Sequence, residues 1–409
     1  MIKSHRFRLE APLRARFVVT IAASLLIVPA LLGDAEFIRA QTAASAKRFR
    51  SPATLPLTSF YDTPHPLSAG KPGELIRSES IDQYNLPYEL SALRILYHSR
   101  TANGEDVAVS GVVLIPDGKP PSNGWPVIAW AHDFRGTART CAPSLMKNLG
   151  EGPILAMYAN LGYAVIATDY AGLGADGKPV LDMQANALDI MYSIPAARTA
   201  VKEIGTKWIA AGPFQGGLAA VAIAESDVRD PGYLGSIDTS GLADAQEAYD
   251  RLALSSSNYE LLAVAATVKT LYPEFQISDM LQDSALPAFQ HDSTTCAAER
   301  EPEFTSEMLK PSWQNNRYIK EFFSRNSPGQ KPTRAPLLVI TGEVDPIAPA
   351  DITTKTVARM CQQGSRVLFL KYRNLDASGA MAASASDQVS WIKARFNGQP
   401  APGNCPKSQ

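Results

Sequence analysis

The sequence predicts an α/β architecture: a mostly parallel central sheet flanked by helices, with an inserted helical cap. Three observations carry that prediction. Short apolar runs recur at residues 109–115, 126–131, 164–168, 208–211, 337–341 and 366–371. Most are β-branched, bounded by Pro or Gly, and without alternation, the pattern of strands buried on both faces. Helical patterns fall between them, over 154–161, over 183–204 with an apolar stripe of Leu188, Met191, Ala196 and Val201, and over 217–226. That alternation gives parallel strands with helices on both faces. It stops between Asp244 and Arg334, where residues 252–271 read as helix and a polar, Pro-containing stretch follows. Some 90 residues without a strand pattern inside an α/β chain read as an inserted cap.

The expected organisation is therefore an export signal over residues 1–40, a first core segment over 41–243, the cap over 244–334 and a second core segment over 335–409. Lys3, Arg6, Arg8, Arg14 and Arg16 precede an apolar run from Phe17 to Gly33, and small residues follow around Ala40. Basic, apolar, then small is the order of an export signal, with Ala35, Ala40, Ala44 or Ala46 as its end. The apolar run is short for a membrane span and contains Pro29, so no stable span is expected in the mature form. Residues 45–75, rich in Pro and Ser, read as an extended arm lying on the body.

Composition is globular, with 45% hydrophobic and 19% charged residues in 409. The 39 basic and 40 acidic side chains leave no excess positive charge for phosphates, so nucleic acid is not an expected partner. Four cysteines, Cys141, Cys296, Cys361 and Cys405, favour disulfides in an exported chain, with three pairings open. There is no C-x-x-C and no His cluster, so no metal site is expected. Residues 172–177, Gly-Leu-Gly-Ala-Asp-Gly, match G-x-G-x-x-G, but a dinucleotide site needs a helix to start there, and Pro179 opposes one. That segment reads as a turn, and no cofactor is expected.

The informative segment is Gly212-Pro213-Phe214-Gln215-Gly216-Gly217, between the 208–211 strand and the 217–226 helix. Strand, tight Gly turn, helix is the context of a nucleophile elbow, G-x-S-x-G, with Phe214 at its centre. Other blocks join it: residues 73–79, 97–99, 109–116, 124–132, 141–144, 162–165, 169–174, 341–345 and 391–398, with Cys405. Together they resemble the secretory lipase family of α/β-hydrolases, from about Phe60 to Cys405.

The resemblance implies ester and triacylglycerol hydrolysis by a Ser-Asp-His triad, and the pairings Cys141–Cys296 and Cys361–Cys405. Its elbow reads G-H-S-Q-G-G; here Pro213 and Phe214 replace His and Ser. The acid position is kept as Asp345. The histidine position, after Tyr372-Arg373-Asn374-Leu375-Asp376, is Ala377. The oxyanion loop, His-Gly in the family, is His132-Asp133, and the Gln215 N–H would supply half a hole. In this fold the histidine follows the acid along the chain, and no histidine follows His291. Asp133 would also set a carboxylate where an oxyanion develops, opposing its stabilisation.

The expected function is an exported α/β-hydrolase-fold protein without serine-hydrolase chemistry, holding an apolar or acyl-chain ligand or acting as a scaffold. The alternative is an active enzyme in which Asp345, His132 and Asp133 converge on a water. Without a nucleophile the strained elbow turn is expected to relax, with Phe214 packing into the acyl site. Asp345 is expected to hold its own loop, His132 to shape the oxyanion loop, and Asp169 and Tyr170 to be fold determinants. His291 is expected at the surface, and 261–271 in the cap core.

Overall fold

The computed structural model describes residues 54–405 apart from 87–89, 228–229, 256–257, 293 and 297–303; the expected export segment lies outside them. One sheet contains β1 (Leu75–Ile81), β2 (Ser91–Arg100), β3 (Asp106–Ile115), β4 (Trp125–Trp130), β5 (Ala164–Thr168), β6 (Ile204–Pro213), β7 (Tyr233–Thr239), β8 (Leu337–Gly342) and β9 (Val367–Tyr372). Their order is β1-β2-β3-β5-β4-β6-β7-β8-β9. β1, β2 and β3 pair antiparallel, as do β3 and β5, and every pair from β5 and β4 through β9 is parallel. The sheet is thus mostly parallel, and the whole of β5 and β8 is buried, as their unbroken apolar runs require.

Helices α1 (Gly152–Asn160), α2 (Met183–Ala200), α3 (Phe214–Glu225), α8 (Ala350–Gln362), α9 (Ala377–Ala383) and α10 (Ala385–Phe396) flank the sheet. Between β7 and β8 lie α4 (Ala245–Ala253), α5 (Glu260–Leu271), α6 (Leu286–Asp292) and α7 (Arg317–Arg325). This block has its own apolar cluster around Phe275, Phe304, Trp313, Phe322 and Phe323. The mostly helical pattern over 252–271 corresponds to the end of α4, at Ala253, and to α5, which starts at Glu260. Residues 261–265 of α5 are all buried.

Strands β1, β2 and β7 are absent from the six expected runs and reflect their polar content; β2 carries Arg94, His98 and Ser99, all buried. β1 exposes Ser78, Glu79 and Ser80, and β7 carries Gly235, Ser236 and Asp238. Residues 172–177 form a turn and the next helix starts only at Met183; a Cβ on Gly172 would stand 2.3 Å from the Pro179 nitrogen.

Two disulfides, Cys141–Cys296 and Cys361–Cys405, have Cα separations of 5.3 and 5.5 Å. The first ties the loop after β4 to the helical block, and the second ties α8 to the segment after α10. The N-terminal arm lies on the body: the Leu55 N–H donates to the Leu145 carbonyl at 2.7 Å, and Tyr61 Oη lies 2.8 Å from Ser144 Oγ. Asp169 is buried beside that arm. It accepts from Ser110 Oγ at 2.6 Å and from the Ser144 N–H at 2.8 Å, which fits a carboxylate that fastens the end of β5.

The β6–α3 turn is the tightest crossing near the sheet centre. A Cβ on Gly216 would stand 1.9 Å from the Ala131 carbonyl oxygen, and one on Gly212 2.3 Å from it. Backbone cannot step aside as a side-chain tip can. Gly216→Ala is therefore expected to cost at least about 2 kcal/mol of folding stability, read by chemical denaturation. A cost below about 0.5 kcal/mol would mean that α3 is free to shift off β4.

Candidate functional site

The parallel strands all end on one edge, and the loops leaving them form a crevice, where open α/β sheets place their sites. β4 is followed by His132 and Asp133, β6 by Phe214, β7 by Ser240, β8 by Asp345, and β9 by Ala377. A small cavity of about 80 Å³, partly open to solvent, lies over this edge. Its apolar wall includes Leu181, Met183, Phe214, Leu218, Tyr249, Leu252 and Ile347, contributed by both the core and the helical block. Its polar lining includes Asp133, Asn186, Gln215, Ser240, Glu260 and Asn326.

Phe214 is half-buried in that wall, so the expectation that its ring occupies the site agrees with its placement. The expected relaxation of its turn does not occur. Phe214 has φ +44°, in the left-handed region, which costs a non-Gly residue about 1–3 kcal/mol. The reason is geometric. β6 is held in register between β4 and β7, with Ala211 opposite Trp130 and Pro213 opposite Thr239. α3 is held against Ala131 by Gly212 and Gly216. The residue joining a fixed strand end to a fixed helix start has one conformation left, whatever its side chain.

Gln215 follows at the start of α3, whose first N–H groups lack intrahelical partners. Its side-chain amide donates to Asn186 Oδ1 at 2.9 Å. Asp133 lines the cavity and accepts from the Phe134 N–H at 2.7 Å. Burial, then the nearby Glu260 carboxylate, pushes its carboxyl up to about 7.

Asp345 is buried, and its Oδ1 accepts from the Ile347 and Ala348 N–H groups, both at 2.9 Å. Its Oδ2 is buried with no partner. The loop that carries it lies beside the loop that carries Ala377. Glu343 N–H donates to the Tyr372 carbonyl at 3.0 Å, and Val344 N–H to the Leu375 carbonyl at 3.1 Å. Ala377 is buried at the start of α9, where the Asp376 carboxylate accepts from the Gly379 N–H at 2.8 Å.

His132 is buried with Nδ1 2.6 Å from the Asp133 carbonyl oxygen and Nε2 3.1 Å from the Asp169 carbonyl oxygen. Burial lowers its pKa to about 4. Both ring nitrogens face backbone acceptors, so neither offers a lone pair to the cavity. Of Asp345, His132 and Asp133, only Asp133 is among the lining residues. The other described histidines also have neighbours elsewhere: His65 with Asp176, His98 with Asp106, and the exposed His291 with Thr295. Among the described residues, no histidine, lysine or arginine lines the cavity.

Sequence reasoning missed three groups here. Ser240 lines the cavity, is 3% exposed, has φ +57°, and its Oγ has no hydrogen-bond partner. It was hidden because β7 was not legible as a strand. Asp238, at the end of β7, accepts from the Gly241 and Leu242 N–H groups at 3.0 and 3.1 Å, and burial pushes its carboxyl up to about 8. Glu260, at the start of α5, lines the cavity although no local motif marks it in the sequence.

Residues 151–404 match the family model described as secretory lipase. No curated protein matches the sequence. Among solved structures, Candida antarctica lipase A in its closed state is similar, with a TM-score of 0.73 and 17% identity over 87% of this chain and 91% of that one. The rice cell wall degrading esterase LipA from Xanthomonas oryzae is similar with a TM-score of 0.66 and 19% identity over 81% of this chain and 100% of that one. A hydrolase from Legionella pneumophila described as putative gives a TM-score of 0.70 and 17% identity over 80% and 99%. At these identities the structures show a shared fold.

The buried carboxyls of the site and its supports set a pH dependence. Asp133, Asp189 and Glu225 are raised to about 7 and Asp238 to about 8, burial being the largest cause in each. The folded state therefore holds protons that the unfolded state releases near pH 4, and stability falls as pH rises through the folded values. His132, lowered from 6.5 to about 4, acts oppositely, raising stability with pH, but only below its unfolded value. Above pH 6.5 the carboxyls act unopposed. Stability is expected to fall between about pH 6.5 and 8.5, Asp238 alone contributing about 1 kcal/mol per pH unit near pH 7. Asp238→Asn is expected to lower stability overall but flatten that slope; denaturant titrations giving a flat or rising profile for the unmodified protein would contradict the assignment.

Proposed function

This chain belongs to the secretory lipase family, and we propose that it has given up the family's ester hydrolysis and uses the retained cavity to hold an apolar or acyl-chain ligand outside the cell. The observation that carries this reading is the uncompensated acid: Asp345 Oδ2 is buried with no partner, on a loop bonded to the one that begins α9 with Ala377 instead of an imidazole. An acid with nothing to orient cannot serve a triad. The elbow side chain is a phenyl ring, which cannot attack a carbonyl. Ser240 puts an aliphatic hydroxyl in the lining, but among the described residues no imidazole lines the cavity to take its proton.

The make-up of the cavity supports binding: apolar side chains dominate its wall, with a few polar groups among them. We read residues 244–334 as a cap closing it from above, since Tyr249, Leu252, Glu260 and Asn326 come from that segment.

Export agrees with two disulfides, with the family, and with the described residues containing no helix long and apolar enough to cross a membrane. Expressed with its own N-terminus in a secreting host, the protein is expected to start after Ala35, Ala40, Ala44 or Ala46 by N-terminal sequencing. Recovery in the membrane fraction with Met1 retained would show an anchor instead.

The purified protein is expected to hydrolyse short- and long-chain nitrophenyl esters no faster than buffer. Phe214→Ser/Ala377→His, with Asp133→Gly as an optional third change, is expected to gain turnover of about 10²-fold over the unmodified protein. If the unmodified protein turns over and Asp345→Asn abolishes it, the protein is an enzyme and the reading fails.

A further inference from the structure

We propose that the sheet edge opposite the crevice carries an oxyanion site for a phosphate monoester group, built on Arg366 and Arg395. It lies apart from the cavity and does not rest on the ligand reading of it. β7, β8 and β9 are parallel, so their starts share the edge away from the site. Tyr233 opens β7 there, residues 333–336 lead into β8 and residues 364–366 into β9. Together with the end of α10 and residues 398–401 they form an open groove of about 470 Å³. Arg334, Arg366 and Arg395 line it, with Thr333 and Gln399.

Arg395 is only 6% exposed. Its Nη2 donates to the Pro400 carbonyl at 3.0 Å, and its Cζ lies 5.5 Å from the centre of the Trp391 ring. Its Nε–H is buried with no partner. Burial, then the Arg366 guanidinium, lowers its pKa, so the charge that acts on it is another cation. Arg366 Nη1 donates to the next carbonyl along, that of Ala401, at 3.4 Å. Successive carbonyls of one tail thus hold the two guanidinium groups near each other. The tail is itself fixed by the Cys361–Cys405 disulfide and by the Asn404 N–H, which donates to the Val367 carbonyl at 3.0 Å. Among the described residues neither Arg366 nor Arg395 pairs with a carboxylate; Arg334 does, with the exposed Asp227 at 2.7 Å.

Burying a guanidinium short of partners beside a second cation costs stability, and an oxyanion accepting from both returns it. The planar fork of a guanidinium matches two oxygens of a phosphate, so two forks on one rim suit a tetrahedral group with several oxygens to share. Thr333 Oγ1 is also buried with no partner, and a hydroxyl can donate to an oxyanion. Three guanidinium groups set against Asp227 leave two positive charges on the groove. A dianionic phosphate ester balances them, and a monoanionic carboxylate does not.

Calorimetric titration of the folded protein with inorganic phosphate and with acetate, at about pH 8 and low ionic strength, tests it. Phosphate is expected to bind with a Kd of about 1 mM or tighter, and acetate at least about tenfold more weakly. Arg366→Gln, at an exposed position, is expected to weaken phosphate binding at least about fivefold, and Arg395→Lys, which keeps the charge and loses the fork, to do the same. Arg317→Gln, which removes an exposed cation of the helical block, is expected to leave it within about twofold. Thermal melts establish that each variant is folded. Flotation with phosphatidylcholine vesicles, with and without phosphatidic acid, separates the sources of the group. Capture that needs both phosphatidic acid and Arg366 assigns it to a lipid head; phosphate binding without capture assigns it to a free ester, and either upholds the site. No saturation by phosphate up to about 10 mM, or acetate bound as tightly as phosphate, overturns the proposal. So does phosphate affinity that Arg366→Gln and Arg395→Lys leave untouched, or that Arg317→Gln lowers as much as they do. None of these outcomes bears on the cavity.

Discussion

The geometry of the site depends on one carbonyl oxygen, that of Ala131. Its own N–H donates to the Ala211 carbonyl at 2.9 Å, continuing the β4–β6 pairing past the last residue of β4. The carbonyl then points into the corner where β6 turns into α3, and no Cβ fits at Gly212 or Gly216. The first turns of α3 continue the theme with Gly217, Ala219, Ala220 and Ala222, so that the helix lies close on the sheet. A Cβ on Gly217 would meet Asp238 Oδ1 at 2.0 Å, so α3 is pinned from the β7 side as well. This clamp sets where Phe214 stands, where the N-terminus of α3 points, and how His132 and Asp133 leave β4.

The clamp also decides how the left-handed Phe214 should be read. A strained residue at an elbow invites the inference that chemistry maintains it. Here strand register and glycine contacts impose φ +44° on whichever residue stands there. The strain, about 1–3 kcal/mol, is comparable to the roughly 1.5–3 kcal/mol that burying a Phe side chain returns. A half-buried ring recovers part of the cost of the turn.

Legibility in the sequence followed the same logic. β4, β5, β6 and β8 were readable because burial on both faces writes an unbroken apolar run. β7 was not, because its polar groups are tolerated only through particular partners: Ser236 Oγ donates to the Ala220 carbonyl at 2.6 Å, and Asp238 caps Gly241 and Leu242. Those partners exist only once α3 and the loop after β7 are in place. The same gap concealed Ser240. Phe214, Gln215 and Asp133 were readable as site residues because the elbow and the β4 loop carry short-range motifs. Glu260 reaches the cavity through the packing of the helical block, and nothing local to its sequence marks it.

The pattern of what was kept and what was lost then has a physical account on the proposed reading. Asp345 has a second duty: its Oδ1 holds the Ile347 and Ala348 N–H groups, and removing it would leave two donors, one part-buried and one buried, without partners. Each such loss costs about 1–3 kcal/mol, so the acid stays under structural demand after its chemistry has gone. A nucleophile and an imidazole carry no such demand. At the elbow the backbone is fixed by its neighbours, and any side chain that fills the cavity wall will serve. At residue 377 the helix is capped by Asp376, and alanine, the best helix former, suits its first position. On the proposed reading, an acid kept at 345 beside Phe214 and Ala377 is therefore what structural demand alone would leave.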